Sequence, residues 1–116
     1  MTYAPTLSEW NWHVLMLNQA LIGSVSNNFR MVVLKWEDDF WLVEFFIFEE
    51  STEDREEISE IIDSMSVYVM DLIEVLSDRC RVEIRFDVTV TDSEVLANDD
   101  SLSRVVFKRK EQTTSD

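Results

Sequence analysis

The chain has 116 residues, 46% of them hydrophobic and 11% aromatic, which fits one domain with a packed core and excludes a disordered acidic tail. Its formal net charge is −14, from 24 Asp and Glu against 10 Lys and Arg, so it would repel phosphate, and nucleic acid is excluded as a partner. The single cysteine, Cys80, rules out an internal disulfide, and no apolar run has membrane-spanning length.

In chain order, Ser8 with Glu9 is the expected start of a first helix, and Gly23 its C′ residue. Leu7, Trp10, Val14, Leu17 and Leu21 fall on one stripe at helical spacing. Trp12 and Met16 lie on roughly the opposite face, so the helix is either covered on both sides or carries an apolar contact patch. Residues 29–36 and 40–48 are rich in β-branched and aromatic side chains. Glu37, Asp38 and Asp39 separate them, which predicts a hairpin with a short acidic loop. The second strand is apolar on both alternations and interrupted by Glu44 alone, as expected of a central strand covered on both faces.

Thr52 is the expected cap of a long second helix, with Glu53 and Asp54 suited to its positive N-terminal end. Ile58, Ile61, Ile62, Met65, Val69, Leu72, Ile73 and Leu76 make one apolar stripe. Glu53, Glu56, Glu60, Asp63, Asp71, Glu74 and Asp78 lie on the reverse face, with Val67 among them. At ~1.5 Å per residue this helix would be roughly 40 Å long. From Cys80 to Val90 the pattern alternates: Val82, Ile84, Phe86, Val88 and Val90 are expected inward, and Arg81, Glu83, Arg85, Asp87 and Thr89 outward. A polar loop with Asn98, Asp99 and Asp100 precedes a last strand from Arg104 to Lys110, whose basic end suits a sheet edge. The order α-β-β-α-β-β predicts a single α+β domain: a two-layer sandwich of two helices on a mainly antiparallel four-stranded sheet, with residues 112–116 as a frayed tail.

The charge is segregated. From Glu37 to Asp78 there are 15 acids and one base, Arg55, whereas the other 74 residues carry nine acids and nine bases. Solubility alone does not require this. Glu53 with Glu57, Glu56 with Glu60, and Glu57 with Glu60 are like-charge neighbours, and such pairs each cost a helix about 0.2 to 0.5 kcal/mol. A concentrated negative field attracts and orients a basic partner.

The inventory for chemistry is thin. His13 has no Ser or Cys partner near it in sequence, one glycine cannot build a phosphate loop, and no Cys/His cluster has zinc spacing. Asp38 with Asp39, or Asp99 with Asp100, lack the ligand frame of an EF-hand. No catalytic, cofactor or metal residues are assigned, and no enzyme is expected. Glu44 paired with His13 in a cleft would reverse that expectation.

Three segments resemble small bacterial immunity proteins encoded beside contact-dependent growth inhibition and related polymorphic toxins. The first is the run from Ala20 to Leu34, a helix-to-strand junction. The second is Phe46-Ile47-Phe48 leading into Ser51-Thr52-Glu53-Asp54-Arg55-Glu56-Glu57-Ile58, and the third is the terminal run from Arg104 to Glu111. The resemblance implies a cytoplasmic inhibitor that binds and neutralises the C-terminal domain of a cognate toxin, often a nuclease. It carries over no contact residues. The acidic field supplies the candidates instead: Asp38, Asp39, Glu49, Glu50, Glu53, Glu56, Glu60, Asp63, Val67 and Asp71. An acidic nucleic-acid mimic that inhibits a DNA-binding protein, or a non-catalytic adaptor using Trp12 and Met16, would share parts of this pattern. Neither membrane nor nucleic acid is an expected partner, and the oligomeric state is not fixed by these features.

Overall fold

The computed structural model describes residues 4–37, 39–73, 83–91 and 102–109. The elements follow in the expected order: α1 (Leu7–Leu21), β1 (Phe29–Glu37), β2 (Phe40–Ile47), α2 (Thr52–Ile73), β3 (Ile84–Val90) and β4 (Ser103–Lys108). Glu74, Leu76, Asp78, Cys80, Arg81, Val82, Asn98, Asp99, Asp100 and the tail beyond Arg109 lie outside the described residues, as do the side chains of Asp71, Leu72 and Ile73.

Both helix starts differ from expectation in the same way. Thr6, not Ser8, caps α1: its hydroxyl accepts from Glu9 N at 3.1 Å, and Glu9 Oε1 accepts from Thr6 N at 3.1 Å. This reciprocal box satisfies two backbone donors that the first turn leaves free. Ser51, not Thr52, caps α2 by accepting from Asp54 N at 3.1 Å. At the other end of α1, Gly23 has φ +78, the left-handed conformation that ends helices and favours glycine.

The sheet order is β3-β2-β1-β4. β1 pairs antiparallel with β2 across the hairpin and antiparallel with β4 on its other side. β2 and β3 are parallel, from Trp41 opposite Ile84 to Ile47 opposite Val90. That pairing follows from α2: a strand, a long helix and a second strand in one sheet form a crossover that returns the chain to the end where it began. Asp39 closes the hairpin with φ 89, a region that aspartate tolerates better than most residues.

Both helices lie on one face of the sheet, giving the expected two layers. The core joins Trp10, Leu17, Ala20 and Leu21 of α1 and Ile58, Ile61, Ile62, Met65 and Val69 of α2 to alternate residues of β1 and β2, namely Val32, Leu34, Trp36, Trp41, Val43, Phe45 and Ile47. Trp12 and Met16 are partly buried against this core, while Leu15 beside them is exposed. Leu7 departs from its stripe and is exposed. On the opposite sheet face Phe40, Leu42, Phe46 and Phe48 are half-buried, in keeping with a central β2. Alternation places Phe86 and Val90 inward. They do point to the helix side, but β3 is an edge strand and they are 39% and 41% exposed.

Trp41 is the centre of an aromatic cluster. Trp10 meets it edge-on at 4.8 Å, Trp36 edge-on at 5.1 Å, and His13 stacks on it at 4.1 Å. His13 is fully buried, with Nδ1 at 2.7 Å from the Glu9 carbonyl and Nε2 buried without a partner. Burial therefore pushes its pKa below 6.5, against a smaller opposing effect of the Glu9 carbonyl.

Two outcomes follow for stability. Met65→Ala opens a cavity under α2 and lowers unfolding free energy by about 2 to 5 kcal/mol in urea denaturation. The unfolded chain binds a proton at His13 more readily than the fold does, so this contribution is present above the unfolded value of 6.5 and is lost as pH falls through the lower folded value. Urea midpoints measured between pH 7.5 and 5 should fall for the native protein and stay flatter in that window for His13→Phe, which keeps the ring stack.

Candidate functional site

The acidic surface is built on α2. Because Ile58, Ile61, Ile62, Met65 and Val69 turn toward the sheet, residues half a turn away must face solvent. Glu53, Glu56, Glu60 and Asp63 are all exposed. Val67, one turn beyond Asp63, is 65% exposed, and Met70, one turn on, is 57% exposed. An apolar pair at the end of a run of carboxylates joins the two parts of a binding surface, desolvatable contact and charge.

The single base of this segment does not break the field along the helix. Arg55 Nε donates to Glu50 Oε2 at 2.5 Å, and both groups are exposed. The Arg55 hydrogen bond holds the Glu50 carboxyl below its usual range, and the same bond raises the Arg55 pKa. Glu50 Oε2 also accepts from Ser51 N at 3.1 Å. This pair cancels at the start of α2 and leaves Glu56, Glu60 and Asp63 without a basic neighbour among the described residues of the helix.

Asp54 is drawn inward. It is 9% exposed and accepts from Ser26 Oγ at 2.9 Å and from Asn28 Nδ2 at 2.8 Å. Asn28 also clamps Glu49, donating from Nδ2 to its carbonyl at 2.7 Å and accepting its N–H on Oδ1 at 2.9 Å. One asparagine thus ties the α1–β1 connection to the β2–α2 connection and fixes where α2 begins. Beside it lies an open groove of about 300 Å³, lined by Gly23, Ser24, Val25, Ser26, Glu53, Asp54 and Glu57.

The predicted site residues do not form one compact patch. Asp39 sits at the hairpin, while Glu49 and Glu50 follow the other end of β2 and are exposed there. Eight residues of strand separate these positions, about 26 Å at ~3.3 Å each. Glu49, Glu50, Glu53 and Glu56 gather at the start of α2, and Glu60, Asp63 and Val67 continue along it, back toward the hairpin end. Asp38 and the Asp71 side chain lie outside the described residues. Met70 and the Asn28–Asp54 clamp are absent from the sequence-based candidates. The spacing from Val67 could have found Met70. Nothing local marks Asn28, whose partners Glu49 and Asp54 are 21 and 26 residues away.

The pair that would have favoured catalysis is not assembled. His13 packs on Trp41, whereas Glu44 points to the other face of β2 and pairs with Lys35 at 2.9 Å. No group of three potential metal ligands converges among the described residues, and no helix among them is long and apolar enough to cross a membrane.

This helix-on-sheet domain with its one-sided acidic helix is matched by a family of immunity proteins, whose partners are toxins. Residues 10–111 match the family described as MafI2 immunity protein, and the chain belongs to that family. No curated protein matches it.

The clamp yields a measurable outcome. Asn28→Ala leaves the buried Asp54 carboxylate short of a donor and frees Glu49, and should cost roughly 1 to 3 kcal/mol. Urea denaturation measures the loss, and amide exchange in the first turn of α2 should rise with it.

Proposed function

We propose that this chain neutralises the C-terminal domain of a cognate antibacterial toxin in the cytoplasm by occluding a basic, substrate-binding surface, and that the toxin is a nuclease. A nuclease must attract phosphate, so its working surface is basic, and an acidic inhibitor meets that surface with complementary charge. The observation that carries this reading is the exposed face of α2, where Glu53, Glu56, Glu60 and Asp63 run along the helix toward the exposed apolar pair Val67 and Met70. The same proposal includes contact-dependent delivery of the toxin. Occlusion requires no chemistry from the inhibitor.

Charge and apolar contact play separate parts. Rim carboxylates steer the encounter and act mostly on association, whereas desolvated apolar anchors act on dissociation. Glu60→Lys should slow association with the cognate toxin more than it speeds dissociation. The defect should shrink as the Debye length falls from ~10 Å at 0.1 M salt to ~3 Å at 1 M. Val67→Ser should leave association nearly unchanged and speed dissociation about tenfold, as expected for an anchor worth more than ~1 kcal/mol. Stopped-flow or biosensor traces over a salt series separate the two effects. Unchanged association across reversals of Glu53, Glu56, Glu60 and Asp63 would overturn the assignment of this face.

A further inference from the structure

The backbone of β3 is half used. Trp41 N donates to the Glu83 carbonyl at 2.9 Å, and Thr91 N donates to the Ile47 carbonyl at 2.9 Å. In a parallel ladder alternate residues point both backbone groups at the same neighbour. The odd-numbered residues from Glu83 to Thr91 thus face β2. Ile84, Phe86, Val88 and Val90 point their N–H and C=O groups to the free edge, which no other described strand covers. The strand lacks several of the usual edge protections: it contains no proline and no lysine, and β3 pairs with β2 without a bulge. Phe86 and Val90 add exposed apolar surface on its helix side.

We propose that β3 is the dimer interface of this protein: two copies pair edge to edge and antiparallel, about a two-fold axis at Phe86. The strand is self-complementary in that register. Phe86 faces Phe86 of the second copy, and Ile84 faces Val88. These residues carry the outward backbone groups, so they form the hydrogen-bonded pairs. Arg85 then faces Asp87, twice, in the non-hydrogen-bonded pairs where side chains come closest. A two-fold axis at Ile84 also pairs opposite charges, Arg85 with Glu83, but sets Phe86 opposite a position beyond the start of β3, whereas three other neighbouring registers are worse in charge. An axis at Asp87 sets Asp87 against itself, an axis at Arg85 sets Arg85 against itself, and an axis at Val88 sets Asp87 against Thr89. In the single chain the Asp87 side chain is exposed and makes no hydrogen bond or ion pair among the described residues, whereas Arg85 holds Glu83 at 2.5 Å and lies over the Phe40 ring. The two-fold axis would bring both α2 helices to the same side of an eight-stranded sheet.

Charge exchange tests the register. Sedimentation equilibrium of the full chain should give twice the chain mass at high concentration. Asp87→Arg and Arg85→Asp should each raise the dissociation constant roughly tenfold, because each reversal acts at two symmetric positions. The double variant Arg85→Asp with Asp87→Arg should return it toward the native value, and circular dichroism confirms that each variant is folded. Independently, Phe86→Cys in a Cys80→Ser background should form a disulfide-linked dimer on mild oxidation, since hydrogen-bonded antiparallel pairs hold Cα atoms about 5.5 Å apart. The proposal is overturned if the native chain keeps single-chain mass at all concentrations, which includes the case where this edge serves a strand of the toxin instead. It is also overturned if the native chain dimerises but the charge exchange restores nothing and the Phe86→Cys variant does not cross-link.

Discussion

Trp41 is where the two layers meet. It is completely buried in the hairpin, and three aromatic rings from two elements close on it: Trp10 and His13 from α1 and Trp36 from β1. Edge-on and stacked contacts at these distances each add about 0.5 to 1.5 kcal/mol beyond area burial. More important is what they fix. With α1 pinned across the hairpin, one half of the sheet face is filled, and α2 has the other half, over β2 and β3, in which to lie. The imidazole belongs to this packing, which is why the chain's one histidine is committed to the interior and its protonation is opposed.

Once α2 is placed, its surface chemistry follows from helix geometry. The isoleucine stripe occupies the sheet side, and the carboxylates take the opposite one. Nothing about packing requires those positions to be acidic, since lysine would be solvated equally well and would relieve the repulsion along the helix. The chain instead places its one local base, Arg55, beside Glu50 at the margin, and uses Asp54 internally to hold the Ser26–Asn28 segment. The outward field and the inward anchor are therefore made by neighbouring residues of the same type, one turned to solvent and the other into a hydrogen-bond network.

Much of this is legible in the sequence. Element order, the hairpin, the buried stripe of α2 and the exposure of Glu56, Glu60 and Asp63 follow from periodicity, which reports faces reliably. The caps are harder to place, although their signals are present. Thr6-Leu7-Ser8-Glu9 and Ser51-Thr52-Glu53-Asp54 each set a hydroxyl three residues before an acid, the spacing a capping box requires, and each also offers a second hydroxyl nearer the acid that competes for the assignment. For Phe86 and Val90 the alternation correctly gives the side of the sheet, but whether a helix covers that side depends on where α2 ends laterally. The reach of Asn28 to Glu49 and Asp54 is tertiary, so no local pattern encodes it.

The mixed sheet also sets an order of assembly. The β1–β2 hairpin joins neighbours in sequence and needs a short loop closure, whereas β4 returns to β1 from some 70 residues away, with Met31 opposite Lys108. Loop-closure entropy makes the local pairing faster and the distant one slower. On a chain emerging from the ribosome, the hairpin, α1 and α2 are available before Ser103–Lys108 exists. Until that strand arrives, the outer edge of β1 remains open, so completion of the sheet awaits its synthesis.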